Sequence, residues 1–174
     1  INPLSIEAHN NLANIYGETK QHNSAIYHYQ KALKSDPNNT STLFNLGQTY
    51  IDISDTDRAI EVFLQVVQIQ PAFTRAHRQL IDIYLKTEKY ISALLHLKRI
   101  IKIDTNDTSA HISIGQVYTK LKKFKLAIES LEPIKSRHPN NIEALEALAE
   151  LFYKMGNLDR SITEYRNILG QNSK

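Results

Sequence analysis

The sequence is 174 residues long, with 41% hydrophobic and 22% charged residues, a composition that can fold as one ordinary domain. The absence of cysteine removes disulfides, thiolate catalysis and cysteine-held zinc or iron–sulfur sites. A formal net charge of +3 is spread among interspersed acids and bases, so no basic tail calls for nucleic acid, and no apolar run reaches the roughly 18 residues that crossing a bilayer requires.

Taken in chain order, Pro3, Pro37, Pro71 and Pro139 fall on rungs of 34 residues, and Thr105 stands at the missing rung. A proline just past a helix stops it and resets the chain, so this spacing predicts a repeated helical unit. Five units follow: 6–39, 40–73, 74–107, 108–141 and 142–174, with residues 1–5 read as the tail of a preceding unit. Within each unit the apolar residues recur at helical spacing. The first gives Leu12, Ala13 and Tyr16, then Ala25, Ile26, Tyr29, Ala32 and Leu33; the second gives Leu43, Leu46, Gly47 and Tyr50, then Ala59, Phe63 and Val66. The third and fourth repeat the pattern through Leu80, Tyr84, Ala93 and Leu97, and through Ile114, Gly115, Tyr118, Ala127 and Leu131. The fifth carries Leu148, Ala149, Phe152, Ser161 and Tyr165. Each unit therefore reads as two antiparallel amphipathic helices, with small residues where the two approach. Pro133 lies inside the second helix of the fourth unit, where a missing donor predicts a bend.

In these positions the sequence resembles the tetratricopeptide repeat family over essentially its whole length. The family's usual tryptophan at the fourth position is replaced by His9, Leu43, His77, His111 and Leu145. The resemblance implies an all-α, right-handed superhelical solenoid in which the first helices line a concave groove and each pair contacts mainly its neighbours. It also implies a non-enzymatic scaffold that binds a protein or peptide segment in that groove, with no cofactor, no metal and no nucleic acid. Two alternatives stand beside it: a substrate-targeting arm of a larger enzyme such as a glycosyltransferase, and a scaffold that assembles with itself. The first residue is not methionine, and no polar capping helix follows Ile162, Tyr165 and Leu169. Both ends are therefore expected to be cuts in a longer solenoid, with apolar edges able to form a homodimer.

The family's groove positions select the candidate site. They give Asn10 and Asn14 in the first unit, Phe44, Gln48 and Ile51 in the second, and Arg75, Arg78, Asp82 and Leu85 in the third. Ile112 and Gln116 follow in the fourth, and Glu143, Glu146 and Glu150 in the fifth. Phe44, Ile51, Leu85 and Ile112 are expected to be exposed apolar seats for a ligand. Arg75 and Arg78 lie one turn apart and could grip a carboxylate or pair with Asp82 and Asp52. The three glutamates share one helix face, either awaiting a basic segment or solubilising a helix N-terminus.

Co-chaperone members of the family hold a peptide's terminal carboxylate with Lys, Asn, Asn, Lys and Arg. Asn10, Asn14, Asn45, Arg75 and Gln79 stand at those places, so both asparagines and one cation are kept and two cations are lost. The array of O-linked N-acetylglucosamine transferase uses a sixth-position asparagine against a substrate backbone. Asn11 and Asn45 match it; Gln79, Ser113 and Ala147 do not. An asparagine amide donates and accepts at once, which suits a peptide bond. His9, His77 and His111 recur one per unit, too far apart to share an ion, and are expected to pack structurally. Lys120, Lys122, Lys123 and Lys125 surround one turn and read either as a solvated cluster or as an anionic-surface contact.

Overall fold

The computed structural model describes residues 3–171, and these form ten α-helices. The chain divides into two compact units, residues 1–87 and 88–174. The first holds α1 (Pro3–Glu18), α2 (His22–Ser35), α3 (Thr40–Asp52), α4 (Thr56–Ile69) and α5 (Thr74–Lys86). The second holds α6 (Tyr90–Ile103), α7 (Thr108–Lys120), α8 (Phe124–Arg137), α9 (Ile142–Lys154) and α10 (Leu158–Gln171). Of residues 1–5, read as the tail of an earlier repeat, Ile1 and Asn2 lie outside the described residues, and Pro3, Leu4 and Ser5 are the first residues of α1.

Each helix pair is closed by a turn that the sequence does not announce. Lys20, Ser54, Glu88, Lys122 and Gly156 all adopt positive φ, between 54° and 78°, and each stands 34 residues after the last. A left-handed residue just past a helix turns the chain back and lets the next amide reach the last helical turn. Accordingly Gln21 N donates to Tyr16 O at 2.8 Å, Asp55 N to Tyr50 O at 2.8 Å, Lys123 N to Tyr118 O at 2.8 Å and Asn157 N to Phe152 O at 2.9 Å. Side-chain oxygens cap the starts of α3, α4, α7 and α9. Asn39, Asp55, Asp107 and Asn141 accept from the backbone amides of Thr42, Arg58, Ala110 and Ala144, satisfying donors the helix leaves open.

The cores are built from the small-residue contacts. Ala25, Ala59, Ala93 and Ala127 are fully buried. Gly47 and Gly115 lie where a Cβ would collide with Phe63 and Leu131 respectively, so both need the absence of a side chain. In the second unit Ile112, Leu131, Ile134, Leu148, Leu151 and Phe152 form one continuous apolar cluster. In the fifth pair Ser161 takes the small position, buried, and its hydroxyl donates to Ala149 O at 2.9 Å. The helix α8 runs on for a turn past Pro133, whose ring faces solvent.

Two residues expected to be exposed groove seats are core instead. Phe44 is 3% exposed and Ile112 0%. Phe44 stacks obliquely on Phe63 and Phe73, with ring centroids 5.5 and 5.3 Å away, and the Arg75 guanidinium caps its face at 4.4 Å. A bulky side chain at that position closes over the neighbouring helix pair, so it belongs to packing. Ile112 does the same within the second unit's cluster. Truncating Phe44 would therefore cost about 3–5 kcal/mol of stability rather than report on a ligand.

Candidate functional site

In the first unit α1, α2 and α3 converge on a polar hollow of about 350 Å³. The sequence candidates Asn14, Asn45 and Gln48 line it together with Gly17, Glu18, Tyr29, Thr49 and Asp52. Asn14 and Asn45 face each other because both sit on the first helix of successive pairs, where side chains three positions apart in register share one face. The Tyr29 hydroxyl donates to Asn14 Oδ1 at 2.7 Å, and Asn45 Nδ2 donates to the same oxygen at 3.1 Å. Neither Asn14 Nδ2 nor Asn45 Oδ1 is used by these bonds, which leaves a donor and an acceptor side by side. Below them Gln48 Oε1 is buried with no hydrogen-bond partner, an arrangement that a native protein rarely leaves unmet.

The electrostatics of this hollow are negative. Glu18 and Asp52 stand on its wall. Burial pushes the Tyr29 phenol above its ordinary range; the Asn45 hydrogen bond opposes that rise and the Glu18 carboxylate adds to it. Tyr29 therefore stays protonated and remains a donor. Helical spacing places Tyr29 in the core but does not show its polar tip, which follows the rule that a buried tyrosine hydroxyl generally finds a partner.

Asn10 Oδ1 accepts from Thr42 Oγ1 at 3.0 Å, so it ties α1 to α3. Ile51 and Leu85 are half-buried, whereas Arg75, Arg78 and Asp82 are exposed on α3's successor α5. In the second unit Gln116 is half-buried and Glu143 and Glu146 are exposed. Glu150 is met by Lys120, Nζ to Oε1 2.8 Å, and that carboxylate holds the Lys120 ammonium above its ordinary range. One member of the acidic face and one of the lysine cluster thus neutralise each other.

The histidines are structural ties. His77 Nε2 lies 3.1 Å from Pro71 O, and His111 Nε2 3.1 Å from Thr105 O, the same contact one repeat apart. His9 instead meets His28, Nδ1 to Nδ1 at 2.8 Å. In α10, Leu158, Ile162, Tyr165 and Leu169 form an exposed apolar stripe. Among the described residues no helix is long and apolar enough to cross a membrane.

Three sequence models described as tetratricopeptide repeat match the chain, at residues 6–39, 28–61 and 108–134. The tetratricopeptide repeat and J domain-containing co-chaperone DNJ1 of Fusarium oxysporum f. sp. lycopersici is 28% identical over 99 residues, 53% of this chain and 19% of that protein. The peptidyl-prolyl cis-trans isomerase FKBP4 of Bos taurus is 33% identical over 88 residues, 51% of this chain and 19% of that protein. The match thus spans about a fifth of the length of these curated relatives. Among solved structures, a crystal structure of MamA protein superposes with a TM-score of 0.85 at 26% identity, covering 98% of this chain and 93% of that one. By its 34-residue helical register and by these matches, the chain belongs to the tetratricopeptide repeat family.

Proposed function

We propose that the chain is a non-enzymatic protein-interaction scaffold whose first unit holds an extended segment of a partner in the hollow between α1 and α3. The observation that carries this reading is the buried, unpartnered Gln48 Oε1 beneath the Asn14–Asn45 pair. A peptide backbone supplies what the hollow lacks: an N–H for a buried acceptor, and a carbonyl and amide matched to one free donor and one free acceptor. Glu18 and Asp52 on the same wall select a segment carrying a lysine or arginine. A terminal carboxylate would meet two like charges there, so this reading replaces clamping of a chain end with gripping of an internal backbone.

The test is an affinity capture from native extract with the wild-type chain beside an Asn14→Ala, Asn45→Ala, Gln48→Ala variant shown by circular dichroism to keep its helices. A protein captured by the wild type and lost with the variant supports the reading, and a basic segment within it should bind as a synthetic peptide. Equal capture by both chains overturns it.

The exposed stripe on α10 favours a second reading, in which the chain pairs with another copy through Leu158, Ile162, Tyr165 and Leu169. Its mark is a mass that rises with concentration in sedimentation and returns to the monomer in an Ile162→Glu, Tyr165→Glu variant.

A further inference from the structure

The second unit carries an apolar furrow lined by Ile91 and Leu95 of α6, Leu126 of α8 and Tyr118 of α7, with a volume of about 450 Å³. Ile91 is 67% exposed and Leu95 60%. The repeat itself shows that this exposure is out of pattern. At the register position of Ile91 the other repeats carry Asn23, Asp57, Lys125 and Asp159, and at that of Leu95 they carry Tyr27, Glu61, Glu129 and Thr163. Only the third repeat is aliphatic at both, one helical turn apart on one face. Aliphatic side chains placed at otherwise solvated positions, and gathered at a concavity, mark a surface that something covers.

The charge around the furrow says what kind of partner covers it. Its charged lining residues are Lys98 and Lys123. Lys122 and Lys125 flank Lys123, and all three are exposed. The surface therefore couples two apolar seats to a cationic rim. A bilayer is met best by protruding apolar side chains, whereas here Leu126 and Tyr118 line a concavity into which side chains can enter. We propose that this furrow docks an acidic amphipathic helix of a partner protein, which inserts aliphatic residues one turn apart between α6 and α8 and sets flanking Asp or Glu residues against Lys98 and Lys123. This site is separate from the polar hollow of the first unit and would let one chain hold two partners.

The experiment is a displayed random-peptide library selected on the whole chain and counter-screened on an Ile91→Asp, Leu95→Glu variant. That variant installs the residue types of Asp57 and Glu61, so the helix keeps side chains the fold already accepts. Peptides pairing aliphatic residues with Asp or Glu should be enriched, should bind the variant at least about tenfold more weakly, and should shift amide resonances of α6 and α8. If the variant loses helicity, a Lys98→Glu, Lys123→Glu chain takes its place, with the same loss expected for the acidic peptides. Enriched peptides that are basic, or that bind both chains equally, overturn the proposal, as does a selection that yields no peptide distinguishing the two chains. Phosphatidylserine vesicles bound by the wild type and released by the variant, with no peptide enriched, would reassign the furrow to a membrane surface.

Discussion

Asn14 Oδ1 accepts from both Asn45 Nδ2, at 3.1 Å, and the Tyr29 hydroxyl, at 2.7 Å, so a single oxygen on α1 binds α2 and α3 into one polar wall. The phenol's raised pKa turns this into a stability statement. Burial lifts Tyr29 above its ordinary 10.0, so the folded chain holds that proton more tightly than the unfolded one. Its contribution is complete below about pH 10 and is lost as pH rises through the raised value. Urea unfolding followed from about pH 8 upward should show an alkaline fall that is shallower in Tyr29→Phe. Tyr84, also raised by burial, keeps part of that fall in the variant. At neutral pH the variant should lose about 1 kcal/mol with the hydrogen bond. An unchanged alkaline limb would show that the phenol is not held in its protonated form.

Gly47 and Gly17 should answer the same substitution with opposite signs. A Cβ on Gly47 would stand 2.6 Å from Phe63 Cε1, while one on Gly17 meets nothing within 4 Å. Gly47→Ala should destabilise by about 1–3 kcal/mol through overpacking, in spite of alanine's better helix propensity. Gly17→Ala should stabilise by up to about 1 kcal/mol. Chemical denaturation of the two variants decides it, and equal shifts would mean that the α3–α4 contact is not as close as described.

Lys135 and Glu164 form the charged contact with most at stake. Lys135 Nζ reaches Glu164 Oε1 at 2.5 Å, and the glutamate side chain is only 5% exposed. Lys135→Met leaves that carboxylate buried without a cation, with the Asn167 amide at 3.3 Å still donating to Oε2, a loss of about 3 kcal/mol. Lys135→Met combined with Glu164→Leu should recover most of it, because the buried charge is then gone. By contrast the Lys120 side chain is 49% exposed, so Lys120→Met should cost under about 1 kcal/mol. Thermal unfolding of the three variants tests the order.

Much of the architecture was legible in the residues. The fully buried Ala25, Ala59, Ala93 and Ala127 were readable as contact points because helical periodicity places them between apolar neighbours. The candidate site was legible only in part. Asn14, Asn45 and Gln48 were named and the hollow brings them together. Phe44 and Ile112 are core and not groove, because register gives the direction in which a side chain leaves its helix and says nothing of how far the neighbouring helices reach over it. The turns were equally hidden. Four of their five left-handed residues are Lys, Ser, Glu and Lys, which carry no glycine's signature, and their conformation is imposed by the two helices they join.

The sequence by itself determined that the chain is a helical repeat, since a 34-residue period with helical spacing inside it is a property of the chain's order and needs no contact to be read. Only the tertiary structure decided which polar side chains act together. The shared acceptor on Asn14, the stranded oxygen of Gln48 and the buried charge of Glu164 each depend on residues from different helices meeting within a few ångströms. So does the furrow between α6 and α8. Local periodicity fixes a side chain's face, but its partners, its solvation and so its chemistry are set by packing between helices.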